Sequence, residues 1–163
     1  MGKVLIVDRD TATTEALGRL LDALGISWDT VLTHTKILRA YAFNEYGAVF
    51  LSVEMPTIDI RRLVEDLESQ ANTTGFPRPP LILLYEDRAI VDRYRLDSIP
   101  RSRILRKPFT FEQVYPLLHA AGLTKIEELS ESGAIESRSS RYETFVLESE
   151  RWIDQLKSQL KLK

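Results

Sequence analysis

A short apolar run followed at once by a helical pattern is the feature that most constrains the fold, and this pairing recurs along the chain. Residues 3 to 8 are largely β-branched and apolar and end in a carboxylate, which is typical of a strand buried on both faces of a parallel sheet. From Thr11 leucine and alanine recur every three or four positions, and Gly25 is a natural C-terminal stop. The sequence therefore predicts a first strand–helix unit over residues 3–25.

Four further units follow the same pattern. Their predicted strands occupy residues 27–32, 48–52, 81–85 and 102–105. Right-handed crossovers between parallel strands place helices on both faces, so the pattern predicts an open, doubly wound five-stranded parallel sheet. Gln70 to Pro80, rich in Asn, Thr, Gly and Pro, is predicted to be a surface loop, and Pro116 is expected to kink or delay the last helix.

Composition and charge exclude several classes of function. The 163 residues contain no cysteine, and His34 and His119 are far apart, so we expect no metal site and no cofactor. A net charge of −2 argues against a general nucleic-acid binder. No apolar run approaches the roughly 18 to 20 residues of a membrane span, and the N-terminus lacks an export signal. We therefore expect a cytoplasmic protein that does not contact membranes.

The carboxyl ends of the predicted strands carry the polar residues, and open parallel sheets bind and react at these ends. The motifs there, in chain order, are Val7-Asp8-Arg9-Asp10, Met55-Pro56-Thr57-Ile58-Asp59 and Lys107-Pro108-Phe109. Their order resembles the response-regulator receiver domain of two-component signalling over roughly residues 3 to 122. The resemblance implies the (βα)5 flavodoxin-like fold with strand order 2-1-3-4-5.

The resemblance also implies a reaction site, and this chain departs from it. Receivers accept a phosphoryl group on an Asp three residues before the Met-Pro pair, where this chain has Ser52, a neutral hydroxyl without a neighbouring base in sequence. Receivers hold Mg²⁺ on two consecutive acidic residues, of which this chain keeps Asp8 and replaces the second by Arg9. Two like unit charges 4 Å apart repel by about 4 kcal/mol at an effective dielectric constant of 20, and a divalent ion doubles this. We expect Arg9 to fill the vacated place, paired with Asp8, Asp10 or Glu54.

The remaining switch positions are also altered. Tyr85 stands where receivers carry Ser or Thr, and Ile104 stands where many carry a rotating aromatic ring. Lys107 matches the family, and we expect it to form a structural ion pair with Asp8. The sequence thus predicts a pseudo-receiver without catalytic residues. Its degenerate phosphorylation pocket consists of Asp8, Arg9, Asp10, Ser52, Glu54, Tyr85 and Lys107.

A basic segment lies on the side that receivers use for partner contacts. Glu86 to Lys107 contains seven cations and four anions. One interpretation is a solvated face. The other is a surface that attracts an acidic protein partner. The predicted partner-binding residues are Arg93, Arg95, Arg101 and Arg103.

Composition changes after Gly122, which divides the chain into three parts. We predict a receiver-like domain over 1–122, a linker rich in Ser and Glu over 123–140 and an amphipathic helix over 141–163. The seam of that helix consists of Tyr142, Val146, Ile153, Leu156 and Leu160. Its heptad spacing predicts a coiled-coil homodimer, although packing of the helix back on its own domain remains open.

These features favour a phosphorylation-independent regulatory module of two-component type that acts through protein contacts and dimerisation and is not an enzyme. The alternative is the N-terminal regulatory part of a DNA- or RNA-binding transcription or antitermination regulator, with its output module beyond Lys163. An enzyme on this fold has the least support, because Asp8, Glu54 and Lys107 without a cofactor motif define no reaction. A further alternative is an unrelated α/β protein, in which Asp8 and Lys107 are ordinary solvated charges at strand ends.

Overall fold

The computed structural model describes residues 2–124, and the predicted C-terminal helix and all but the start of the predicted linker lie outside them. A five-stranded parallel sheet forms in the order β2-β1-β3-β4-β5. The strands are β1 (Lys3–Val7), β2 (Trp28–Thr30), β3 (Tyr46–Ser52), β4 (Leu81–Tyr85) and β5 (Ser102–Arg106). The predicted fold class and strand order are confirmed.

One helix follows each strand. The helices are α1 (Thr11–Ala23), α2 (His34–Phe43), α3 (Ile60–Thr74), α4 (Arg88–Arg93) and α5 (Phe111–Ala120), and a 3-10 helix, Leu96–Ser98, follows α4. Side-chain oxygens of Asp10, Thr33, Asp59 and Asp87 accept backbone N–H bonds at the first turns of α1 to α4. Such caps satisfy donors that a helix cannot pair internally, and they set where each helix begins.

A hydrophobic core fills the part of the chain formed by residues 2–9 and 29–107. It joins Leu5 of β1, Leu51 of β3 and Leu83 of β4 to Leu63 and Leu67 of α3, all nearly inaccessible to solvent. The alternate strand residues, such as Ile6 and Phe50, are equally buried. Both faces of the central strands are therefore covered, as expected for a parallel sheet.

Residues 10–28 and 108–124 form a second compact part of the described chain. Gly18 of α1 gives room to the Trp28 indole, because a Cβ at this position would overlap the ring. Trp28 Nε1 donates a hydrogen bond to Asp22 Oδ1 at 2.9 Å. The other helix of this part, α5, begins at Phe111 and continues past Pro116, so the predicted delay was wrong. Pro116 is exposed, and its ring is therefore not packed against the buried side of α5.

The predicted loop over residues 70–80 was also wrong in its first half. Helix α3 continues to Thr74 and ends at Gly75, whose φ of 80° is the left-handed conformation that glycine adopts readily. The Thr73 and Thr74 hydroxyls donate to carbonyls four residues earlier, at 3.3 and 3.0 Å. These bonds satisfy the polar side chains within the helix, so their composition does not end it.

Candidate functional site

The site lies at the carboxyl edge of the sheet, where the register of the strands brings the predicted residues to neighbouring ends. Val7 of β1 pairs with Leu51 of β3, so the residues that follow them, Asp8 and Ser52, are adjacent in the register of the sheet. On the other side of β3, Ser52 pairs with Leu84. The Lys107 backbone N–H donates to the Tyr85 carbonyl at 2.8 Å, which continues the alignment of β4 and β5 beyond the last strand residue.

A buried ion pair dominates this edge. Lys107 Nζ lies 2.5 Å from Asp8 Oδ2, and only 4% and 2% of the two side chains are exposed. Because β3 and β4 lie between β1 and β5 in the sheet, the Asp8 and Lys107 side chains reach toward each other across the ends of the intervening strands. The predicted pairing of Asp8 and Lys107 is confirmed. Each charge compensates the other where water is excluded, so removing either one leaves an expensive buried charge.

Ser52 occupies the end of β3 and is almost fully buried, with 3% of its surface exposed. Its Oγ accepts a hydrogen bond from the Glu54 backbone N–H at 3.3 Å, a contact within its own turn. Neither histidine of the chain serves it as a base. His34 Nε2 is 2.7 Å from Asp66 Oδ2, and His119 Nδ1 is 3.2 Å from the Thr124 hydroxyl. The Ser52 hydroxyl therefore has the environment of a packed polar residue, not of an activated nucleophile.

Glu54 has a different partner from the one predicted. Its Oε1 accepts the backbone N–H groups of Glu86 and Asp87 at 2.7 and 2.9 Å. Asp87 in turn accepts the Ala89 N–H at 2.9 Å and begins α4. The Glu54 carboxylate thus ties the loop between β4 and α4 to the end of β3. Charge-assisted bonds of this kind are roughly twice as strong as neutral ones.

Arg9 and Asp10 do not form the contacts that the sequence predicted for them. Arg9 is exposed, and no ion pair within residues 2–124 includes it, so the predicted pairing with Asp8, Asp10 or Glu54 was wrong. Asp10 caps α1: its Oδ1 accepts the Ala12 N–H at 3.1 Å and its Oδ2 the Thr13 hydroxyl at 3.0 Å. Asp8 is instead paired with Lys107, and Glu54 accepts hydrogen bonds from backbone N–H groups, so neither carboxylate depends on Arg9.

Tyr85 ends β4 and is half-buried. The Arg88 guanidinium carbon lies 5.9 Å from the centroid of its ring, a cation–π contact. Arg88 also pairs with Asp92 at 3.0 Å and with Asp97 at 3.2 Å. The bulky ring and its arginine therefore occupy the place where the family has a small hydroxyl side chain.

The predicted partner-binding arginines are all exposed, and Arg93, Arg95, Arg101 and Arg103 are together called the basic face. None of the four makes an ion pair with another residue in the described part of the chain. Arg95 and Arg101 have φ angles of 50° and 55°, a left-handed conformation that costs a non-glycine residue roughly 1–2 kcal/mol. The sequence did not indicate this conformation.

Two other arginines hold the backbone beside these strained positions, and both were missed by sequence reasoning. Arg61 donates from Nη2 to the Arg95 carbonyl at 2.7 Å and from Nε to the Tyr94 carbonyl at 3.0 Å. Arg78 is buried, donates to the Pro100 carbonyl and lies 2.5 Å from Glu68 Oε1. Guanidinium donors thus fix the turns that carry the basic face. Nothing in the composition of residues 70–80 distinguishes Arg78 from a solvated loop cation.

Metal and membrane features were searched over residues 2–124. Within this range no group of three or more His, Asp or Glu side chains is arranged to hold a metal ion. The range also contains no helix with the length and apolar character needed to cross a membrane.

Known proteins similar to this chain include response regulators and solved receiver domains. Response regulator MprA of Mycobacterium sp. (strain KMS) is 30% identical over 118 residues, which are 72% of this chain and 49% of that protein. Hybrid signal transduction histidine kinase L of Dictyostelium discoideum is 22% identical over 125 residues, or 75% of this chain and 7% of that protein. The receiver domain of sensor histidine kinase PA1611 from Pseudomonas aeruginosa PAO1 superposes with a TM-score of 0.61 at 20% identity, covering 74% of this chain and 98% of that domain. No protein-family model matches the chain.

The sheet order and the polar strand ends define a CheY-like receiver fold, and the relatives agree with it. The chain belongs to the response-regulator receiver domain family of two-component signalling. It spans about half the length of the MprA regulators that it matches.

Proposed function

We propose that this receiver domain signals without aspartyl phosphorylation, as a pseudo-receiver. The observation that carries the proposal is Ser52, a buried hydroxyl at the end of β3 where the family accepts the phosphoryl group. A serine hydroxyl needs a base to become a nucleophile at neutral pH, and both histidines are bonded elsewhere. The chain is then a regulatory protein and not an enzyme, acting in the cytoplasm.

The residues present do not fit the magnesium ion that receivers use. The receiver domain of PA1611 was solved with magnesium in its active site cleft. In this chain the Asp8 carboxylate is neutralised by Lys107 at 2.5 Å, and the next residue is the cation Arg9. A divalent ion would have to displace the ammonium and approach a guanidinium, which costs several kcal/mol at an effective dielectric constant of about 20.

Glu54 supports the same proposal from the neighbouring loop. The two N–H groups at the beginning of the β4–α4 loop point to its carboxylate at 2.7 and 2.9 Å. An internal anion thus satisfies donors that would otherwise be available to an incoming phosphoryl oxygen. We propose that Glu54 holds the loop in one arrangement and that no phosphoryl group is needed for this.

The matched test is beryllofluoride, which mimics an aspartyl phosphate. The full chain is titrated with beryllofluoride and Mg²⁺ while its ¹⁵N amide spectrum is recorded. The spectrum should remain unchanged, because Ser52 offers no carboxylate to the beryllium. The double variant Arg9→Asp/Ser52→Asp restores the acidic pair and the acceptor, and it should respond at residues near positions 8, 52 and 107. A saturable, Mg²⁺-dependent response of the natural chain would overturn the proposal.

Protein contact is proposed to occur through the basic face. Its four guanidinium groups are exposed and lack ion pairs in the described chain, while Arg88, in the same segment, is already engaged by Asp92 and Asp97. Unpaired surface charges of one sign attract a partner of the opposite sign and raise its association rate. We therefore propose an acidic protein partner.

Charge reversal separates this role from a general charge effect. The full chain, the variant Arg95→Glu/Arg101→Glu/Arg103→Glu and the control Lys36→Glu/Arg39→Glu/Arg62→Glu are cross-linked in native cells and the partners identified. Both variants change the net charge equally, and all six side chains are exposed. One partner should be lost, by roughly tenfold or more, with the first variant alone. Equal loss with both variants would show non-specific attraction.

Homodimerisation through Tyr142, Val146, Ile153, Leu156 and Leu160 also remains part of the proposal, supported by their heptad spacing. The second candidate function is the regulatory part of a longer DNA- or RNA-binding regulator. It is favoured by one observation: the MprA response regulators are about twice as long as the region that they share with this chain.

A further inference from the structure

A cavity of about 820 Å³ opens beside Glu54, between the chain that follows β3 and the segment formed by α4 and the 3-10 helix. Its floor is apolar and consists of Val53, Met55, Ile58, Ile90 and Leu96. The volume lies in the range of roughly 300–1,000 Å³ that is typical of small-molecule sites, which are also largely apolar with a few polar groups. The cavity is therefore large enough for an organic molecule with one or two rings.

The charged side chains around the cavity leave a positive charge for a ligand. Both carboxylates are engaged by backbone donors: Glu54 by the β4–α4 loop and Asp59 by the Arg62 N–H at 3.3 Å. The Arg61 guanidinium is engaged by backbone carbonyls. Arg9 and Arg93 also line the cavity, and neither forms an ion pair or side-chain hydrogen bond with another residue between positions 2 and 124.

An exposed aromatic ring stands at the same cavity. Tyr94 is 54% exposed, although large apolar side chains are mostly buried in this domain, and it is one of the lining residues. Arg61 binds the Tyr94 carbonyl and so fixes the backbone that presents the ring. An aromatic side chain that lines the same cavity as two guanidinium groups is suited to a flat ring that carries an acidic group.

We propose that this cavity binds a small aromatic organic anion. The ring of the ligand packs on the apolar floor and against Tyr94, and its acidic group is bound by the guanidinium groups of Arg9 and Arg93. The ligand would also contact Glu54, which holds the β4–α4 loop, so its binding would bias that loop. The proposal goes beyond phosphorylation-independent signalling and stands or falls separately from it, because it does not involve Ser52.

The test uses three probes of one shape on the full chain: 1-naphthoate, neutral 1-naphthalenemethanol and cationic 1-naphthylmethylamine. Binding is followed by methyl and amide shifts in the NMR spectrum. The naphthoate should give saturable shifts confined to Arg9, the β4–α4 loop and residues 53–61 and 90–96, and bind at least tenfold more tightly than the other two probes. Equal affinity of all three, shifts spread over the surface, or no saturation would each overturn the proposal.

Variants then locate the charge recognition. Arg9→Gln/Arg93→Gln should weaken naphthoate binding by about tenfold, which corresponds to 1.4 kcal/mol, and leave the neutral probe unchanged. Arg103→Gln is the control, since Arg103 is exposed but does not line the cavity. All three side chains are exposed, so the variants should keep the fold, which their amide spectra verify. Undiminished naphthoate binding by the double variant would contradict the assignment of these arginines.

Discussion

Charged side chains are satisfied internally in one region of this receiver domain and exposed to solvent in another. At the carboxyl ends of β1, β3 and β5 the charges are withdrawn from solvent and satisfied internally: Asp8 by Lys107, and Glu54 by two backbone N–H groups. On the basic face the guanidinium groups are exposed and have no ion pairs in the described chain. The first region satisfies its charges internally, whereas the second leaves its guanidinium groups exposed to solvent.

Under the proposed function, this difference is how a receiver keeps its fold without aspartyl phosphorylation. A reaction site needs charges that remain uncompensated until a metal ion or a substrate binds. Compensation of those charges within the fold favours stability, and under the proposed function a partner is bound where charges remain unpaired. The comparison predicts that substitutions in the first region affect stability and that substitutions in the second affect binding.

The largest effect is expected at the buried pair. Lys107→Met should lower the free energy of unfolding by about 3 kcal/mol or more, because the Asp8 carboxylate loses the ammonium that compensates it. Urea titration of the full chain measures the change. Arg103→Met removes an exposed cation from β5, the strand that leads to Lys107, and should change stability by less than about 0.5 kcal/mol.

A double variant sharpens this result. Asp8→Leu/Lys107→Met replaces both charges by apolar groups and should be more stable than Lys107→Met alone, since no buried charge is left. If Lys107→Met lowers the free energy of unfolding no more than Arg103→Met does, the two regions do not differ in the way described.

Glu54→Gln should have an intermediate effect. The neutral amide accepts hydrogen bonds more weakly than the carboxylate, so we expect a loss of roughly 1–2 kcal/mol. Amide hydrogen exchange should accelerate at Glu86 and Asp87, the two donors. Glu65→Gln, on an exposed position of α3, is the control. Unchanged exchange at both amides would mean that the carboxylate does not hold the loop.

The smallest effect concerns the backbone of the basic face. Arg95→Gly should raise stability by up to about 1 kcal/mol, because glycine adopts a φ of 50° without the steric cost of a side chain. Arg93→Gly, at the end of α4, should instead lower it by about 0.5–1 kcal/mol. Thermal unfolding of both variants tests the pair, and a destabilised Arg95→Gly variant would contradict the proposed strain.

Sequence reasoning succeeded where a periodic pattern or a strand end specified the answer. The apolar runs located all five strands, and parallel strand ends brought Asp8 and Lys107 to one edge. It failed where a side chain chose among several partners. Glu54 accepts hydrogen bonds from backbone N–H groups, and the direction of those groups depends on the β4–α4 loop. The predicted pairing of Arg9 with Glu54 was therefore wrong.

Backbone donors and acceptors also explain the other failures. The threonines near the end of α3 satisfy themselves within the helix, which a composition rule for loops does not take into account. The burial of Arg78 depends on the Pro100 carbonyl, which is distant in sequence. Polar residues that bind distant backbone groups leave no periodic signal in the sequence.

Intact mass after incubation with acetyl phosphate and Mg²⁺ tests the central claim most directly. The natural chain should keep its mass, because Ser52 is a buried hydroxyl and Lys107 neutralises Asp8. The Arg9→Asp/Ser52→Asp variant, treated in parallel, should gain one acid-stable, base-labile phosphoryl group. A Mg²⁺-dependent gain of one phosphoryl group by the natural chain, lost when Ser52 is changed to Ala, would contradict the account.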